Sequence, residues 1–145
     1  MITVRDILQR KGNQIWSVAP DSTVYDALML MAEQNVGALL VLDGEKIVGV
    51  FSERDYARKV ILKGKASKET SVDEIMTSEV TTVHPGQSVE ECMGLMTDKR
   101  IRHLPVLEGE KLAGLISIGD VVKAIISDRE FIIKQLESYI TGGSS

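Results

Sequence analysis

The sequence predicts an α+β fold of two strand-helix-strand-strand-helix repeats packed about a pseudo-two-fold axis. Three observations carry this. First, Val18-Ala19-Pro20 returns as Val83-His84-Pro85, 65 residues later, and the displacement then holds without a gap. It pairs Val24 with Val89, Leu30 with Leu95, Met31 with Met96, Gly44-Glu45-Lys46 with Gly109-Glu110-Lys111, and Asp55 with Asp120. A register kept over that span marks a duplicated unit. Second, the apolar residues early in each copy fall at helical spacing. Third, two apolar runs separated by a turn sequence follow each helix.

Each copy opens with a short strand, around 15–18 and 80–83. Val24, Ala27, Leu28 and Met31 stand at i, i+3, i+4 and i+7, one face of a helix, and Val89, Cys92, Met93 and Met96 repeat the pattern. Apolar runs at 38–42 and 103–107 lead into Asp43-Gly44-Glu45-Lys46 and Glu108-Gly109-Glu110-Lys111, and further runs follow at 47–51 and 112–116. A Gly-containing polar break between two such runs signals a hairpin. A second helix is expected at about 54–63, stopped by Gly64, and at about 119–126. The divisions are a first repeat at 1–64, a polar linker at 65–70 and a second repeat at 71–127. An extra helix follows at 128–140 and a flexible tail at 141–145. In the extra helix Ile132, Leu136, Tyr139 and Ile140 line one stripe, which needs a surface on a second copy or on the chain's own body. Each repeat, at about sixty residues, is near the lower limit for a self-sufficient core, so the two should pack together.

Composition narrows the function. With 43% hydrophobic and 26% charged residues among 145, the chain reads as a soluble globular protein. No apolar run approaches a membrane span. Met1-Ile2-Thr3-Val4-Arg5-Asp6 lacks the layout of a secretory signal, and Cys92 is the only cysteine, so no internal disulfide forms. The expected location is the cytoplasm. Net charge is −4, and residues 1–64 carry 8 basic and 8 acidic side chains with no basic block in either half. A nucleic-acid partner is therefore not expected.

The matching segments of the two copies resemble the cystathionine-β-synthase (CBS) domain pair, or Bateman module. They are Val18-Ala19-Pro20-Asp21-Ser22-Thr23-Val24 with Val83-His84-Pro85-Gly86-Gln87-Ser88-Val89, the stretch Arg102-His103-Leu104-Pro105-Val106, and the closing Gly49-Val50-Phe51-Ser52-Glu53-Arg54-Asp55 with Gly114-Leu115-Ile116-Ser117-Ile118-Gly119-Asp120. The resemblance covers roughly residues 3–126. It implies two clefts beside the pseudo-axis that take AMP, ADP or ATP, or in some members NAD(H) or S-adenosylmethionine. It also implies a regulatory rather than catalytic role, homodimerisation, and a separate regulated protein as partner. In the pattern Gly-x-x-Ser/Thr-x-x-Asp the carboxylate takes the ribose hydroxyls and the hydroxyl helps hold ribose or phosphate. That assigns Ser117 and Asp120 to one cleft, Ser52 and Asp55 to the other. Adenine is implied to lie along the first strands, at Thr82-Val83 and Ser17-Val18, with Ile101, Leu104 and Pro105 beside it.

Each candidate has a plainer reading. Ser or Thr followed three residues later by an acid is also a helix capping box, and the chain has this spacing at Thr3/Asp6, Thr23/Asp26, Ser71/Glu74, Ser88/Glu91 and Ser127/Glu130. Both readings can hold at once, because a helix N-terminus favours phosphate. Arg100, Arg102 and His103 align with Asn35, Gly37 and Ala38, so their charge is not required by the repeat. Arg102 and His103 are read as phosphate ligands, against a solvated strand edge. Arg54, which aligns with Gly119, is read the same way, against pairing with Glu53 or Asp55. His103, Ser117 and Asp120 name a triad, but the serine lies outside a Gly-x-Ser-x-Gly elbow, so no enzyme and no catalytic cofactor are expected. Two histidines and one cysteine do not make a metal site. The rival to a nucleotide sensor is a ligand-free dimeric adaptor of the same fold.

Overall fold

The computed structural model describes residues 2–141, and the chain forms two compact units. One runs from Gln14 to Thr81; the other joins the segment up to Asn13 to everything from Thr82 onward. The first helix of the chain therefore belongs with the second repeat.

The Gln14–Thr81 unit holds β1 (Ser17–Val18), α2 (Val24–Gln34), β2 (Ala38–Asp43), β3 (Lys46–Ser52) and α3 (Glu53–Tyr56). β1 runs parallel to β2 and β2 antiparallel to β3. Gly44, at φ +64°, makes the hairpin turn, where a Cβ would be strained. The helix expected at 54–63 is α-helical only to Tyr56. It continues as a π-helical stretch, Ala57–Ile61, and Gly64 ends it at φ +69°. The apolar faces of α2, β2 and β3 close on Val24, Ala27, Met31, Leu39 and Phe51. The polar segment at 65–70 is tied down: Val24 N–H donates to Thr70 O (2.9 Å) and Tyr25 N–H to Ser67 O (3.1 Å). Those donors are orphans of a helix start, which explains the tether.

The other unit holds α1 (Val4–Lys11), α4 (Val89–Lys99), β4 (His103–Glu108), β5 (Lys111–Ser117) and α5 (Ile118–Ile140). β4 and β5 repeat the antiparallel hairpin, with the same irregularity one pair after the strand centre, at Val106/Leu107 as at Val41/Leu42. The strand expected at 80–83 is reduced to one parallel bridge, Val83 to Val106. The helices expected at 119–126 and 128–140 are a single helix, because no Gly, Pro or cap interrupts them. Ser127 sits inside it, so Ser127/Glu130 caps nothing. Among the described residues no helix is long and apolar enough to cross a membrane. Of the tail expected at 141–145, residues 142–145 lie outside the described residues.

Each unit is completed by the opening segment of the other repeat. Val4 N–H donates to Gln87 O (2.9 Å) and Arg5 N–H to Pro85 O (3.0 Å); Val72 N–H donates to Ser22 O (2.8 Å) and Asp73 N–H to Pro20 O (3.0 Å). Val4 and Ile7 are buried with Val83, Leu104 and Ile116, as Val72 and Ile75 are buried with Val41 and Phe51. Two glycines are the seats: a Cβ at Gly114 would lie 2.6 Å from Leu8 Cδ2, and one at Gly49 would overlap Met76 and lie 3.0 Å from Thr77 O.

Cys92 is wholly buried on α4. Burial first, then Glu91 and Glu90, push its thiol up to about 11, and the thiolate is the reactive form. The native protein at pH 8 is expected to leave Cys92 unlabelled by an aromatic disulfide reagent over minutes, and to release one thiol equivalent only in denaturant. Rapid native labelling would show that α4 opens readily.

Candidate functional site

The hairpin register brings residues distant in sequence to one end of each sheet. His103 pairs with Ser117 across β4 and β5, and Ala38 with Ser52 across β2 and β3. Ile118 N–H donates to Arg102 O (2.8 Å), as Glu53 N–H does to Gly37 O (3.1 Å), so each loop before a central strand is fastened to the helix start after the next one. Arg102, His103, Ser117 and Asp120 thus come together in one unit. Ser52, Arg54 and Asp55 sit likewise at the start of α3 in the other.

Both Ser-x-x-Asp pairs form full capping boxes. Ser117 N–H donates to Asp120 Oδ2 (2.8 Å) and Asp120 N–H to Ser117 Oγ (3.1 Å). Ser52 N–H donates to Asp55 Oδ2 (3.0 Å) and Asp55 N–H to Ser52 Oγ (3.2 Å). Boxes also close at Thr3/Asp6, Ser71/Glu74 and Ser88/Glu91. At Thr23/Asp26 the bond runs one way, from Asp26 N–H to Thr23 Oγ1 (3.1 Å).

Each carboxylate also has a cation that the repeat does not reveal. Lys11 Nζ lies 2.7 Å from Asp120 Oδ2 and donates to Leu115 O at 3.0 Å. Lys59 Nζ lies 3.2 Å from Asp55 Oδ1, and Thr77 Oγ1 donates to the same oxygen at 3.3 Å. Thr77 N–H also donates to Val50 O (2.9 Å). Leu115 and Val50 are repeat equivalents, so one lysine on α1 does in its unit what the N–H and hydroxyl of Thr77 do in theirs. Burial by itself raises the Asp120 carboxyl, but the Lys11 ammonium and the Ser117 N–H outweigh it and hold the group below the ordinary carboxylate value. The Asp120 side chain keeps 22% exposure against 11% for Asp55, so Asp120 is the more accessible of the two. Lys59, one helical turn after Asp55, was legible as an i, i+4 pair; Lys11 and Thr77 had no such signal.

The remaining candidates divide. Arg102 is exposed and, with Gly119, Val122, Lys123, Ile126, Ser127 and Glu130, lines an open cavity of about 630 Å³. His103 is half-buried at the start of β4, and Ile101 is half-buried against the core. Leu104 is fully buried and Pro105 buried, so neither offers a face to a base at the surface. Val83 is buried and its backbone is committed to β4, with its N–H donating to Pro105 O (3.0 Å) and its carbonyl accepting from Leu107 N–H (2.8 Å). Thr82 beside it is exposed. Ser17 is exposed and Val18 half-buried on β1, and Arg54 is exposed on the first turn of α3.

The model of the CBS domain matches twice, at residues 4–62 and 72–127. The chain belongs to the CBS-domain family. The mitochondrial CBS domain-containing protein CBSX3 of Arabidopsis thaliana is 42% identical, over 97% of this chain and 73% of its own length. A CBS-domain protein of Burkholderia ambifaria, whose structure is solved, is 57% identical and superposes with a TM-score of 0.84, covering 87% of this chain and 95% of that one. The CBS pair of protein MJ0100, at 22% identity, shares the fold with a TM-score of 0.78 over 88% of this chain and 98% of its own. It is seen with 5′-methylthioadenosine and S-adenosylmethionine. CBS pairs as a family bind adenosine-containing ligands and regulate partners.

Proposed function

We propose that this CBS pair is a sensor of an adenine nucleotide, AMP, ADP, ATP or NAD(H), and that it signals as a homodimer to a separate protein. The observation that carries the reading is the Asp120 carboxylate. It is ionised, partly exposed, fixed at a helix start by Ser117, and close in the fold to Arg102 and His103. Ribose hydroxyls are donors and suit such an acceptor; phosphate suits the guanidinium of Arg102 and the positive end of α5. Adenine would rest beside Thr82 and Ile101. Lys11 already bonds the carboxylate, so a ribose at Asp120 competes with α1. A nucleotide that loosens this contact favours one arrangement of α1 over another, as ligand-driven switching requires. Ser52, Arg54 and Asp55, beside Ser17 and Val18, form the weaker counterpart, because Asp55 is more enclosed and bonded by two side chains besides its serine.

Thermal unfolding with AMP, ADP, ATP, NAD, NADH and S-adenosylmethionine, each alone, tests this. A ligand at ten times its dissociation constant adds about 1.4 kcal/mol, a rise of several degrees for a domain of this size. Asp120→Asn, which keeps the size of the side chain, is expected to remove that rise and leave the ligand-free midpoint within a few degrees. A second reading has its own support: both carboxylates are satisfied without any ligand, as in a dimeric adaptor with empty sites. No shift with any of the six at millimolar concentration would favour the adaptor.

A further inference from the structure

The part of α5 beyond the packed core carries an apolar face with no partner in its own unit. Val121 and Ala124 turn into the core. Val122, Ile126, Ile132, Ile133, Leu136, Tyr139 and Ile140 are all exposed, Tyr139 at 84%. At 100° per residue these seven fall on one side of the helix, while exposed Phe131 falls off it. Val122, Ile126, Arg129, Ile133, Leu136 and Ile140 step by four, three, four, three and four. That is the seam of a two-helix coiled coil, seven residues per pair of steps. The one charge in the seam, Arg129, chooses the orientation. Parallel self-pairing would set Arg129 against the partner's Arg129 in the apolar layer, and would set Ile125 and Ile132 beside glutamates.

The seam is self-complementary when reversed. About a centre at residue 131, Val122 faces Ile140, Ile126 faces Leu136, and Arg129 faces Ile133. On one flank Lys123 then comes beside Glu137 of the other copy, twice by symmetry, with Glu130 beside Glu130 between those two pairs; on the other flank Ile125 comes beside Tyr139, and Ile132 beside Ile132. The cavity of about 630 Å³ lies along this same face, between Ile118 and Glu130, with Val122 and Ile126 among its lining residues. It is where the far end of an antiparallel partner, Tyr139 and Ile140, would land. We propose that two copies of this chain associate through an antiparallel pairing of their α5 helices in this register. The proposal rests on the homodimer reading above and specifies its surface and direction.

Cross-linking separates the two. The full chain is expected to sediment as a dimer at tens of micromolar. Ile126→Cys/Leu136→Cys is expected to form a covalent dimer under mild oxidation, whereas each single cysteine variant stays non-covalent; native Cys92 is buried and silent. Leu136→Glu is expected to yield a folded monomer, checked by circular dichroism. A dimer in which Ile126→Cys alone cross-links to itself overturns the antiparallel register but keeps the homodimer. A dimer untouched by Leu136→Glu, with no cross-link in the double variant, places the interface elsewhere. A monomeric wild-type chain overturns the homodimer and this pairing together.

Discussion

Replacing Ile7 with alanine is expected to destabilise the unit that contains the second repeat, by about 2–5 kcal/mol, although Ile7 lies at the start of the first repeat in sequence. Ile7 is 4% exposed in a cluster with Val83, Cys92, Leu104, Ile116 and Val121, and truncation leaves a cavity that β4 and α4 cannot close. Alanine is a good helix former, so α1 itself loses nothing in propensity. Native-state hydrogen exchange reads the effect by position. Amides of α4, β4 and β5 should lose more protection than those of α2, β2 and β3. Equal loss in both sets, or loss confined to residues 14–64, would contradict the assignment of α1. Ile75→Ala is the mirror experiment, with the larger loss expected in β2 and β3.

Gly49→Val is expected to lower stability by about 3 kcal/mol, at the upper end for overpacking. Gly49 is buried on β3, and a Cβ there meets Met76 and the Thr77 carbonyl. Met76 can swing aside, but the carbonyl cannot, because it accepts the Val50 N–H at 2.9 Å. Pushing it away breaks that bridge and moves the Thr77 hydroxyl that helps hold Asp55. Gly114→Ala should be milder, since the added carbon meets only the end of the Leu8 side chain. Urea unfolding of the pair of variants gives the comparison. A Gly49→Val midpoint equal to wild type would mean that the 72–77 segment does not sit on β3 in solution.

What the sequence revealed and what it concealed both follow from the range of the interactions. The hairpins, the two main helices and most capping boxes depend on residues a few positions apart, and spacing displays them. Ser127/Glu130 had the same spacing and forms no cap, because the residues before it are already helical; a box pattern cannot tell a helix start from a helix interior. The exchanged prefixes were harder to see. Thr3-Val4 and Ile7-Leu8 correspond to Ser71-Val72 and Ile75-Met76 at a displacement of 68 rather than 65, so the register that exposes the repeat passes over them. The ion pair between Lys11 and Asp120 spans 109 residues and leaves no periodic trace. By its sequence Leu104 reads as cover for a ligand, yet it is core, since an apolar residue in a strand looks the same in either role.

The exchange of prefixes also sets an order of assembly. The Gln14–Thr81 unit can be completed by a contiguous stretch of chain, so its last piece is made soon after the rest. α1 leaves the ribosome before every other element described, yet the surface it covers is not finished until β5 and the first turns of α5 have been synthesised, about a hundred residues later. Until then Val4 and Ile7 stay uncovered. Closing that long loop carries the larger entropic cost, so the docking of α1 is expected to follow the formation of β4, β5 and the first turns of α5 rather than precede it.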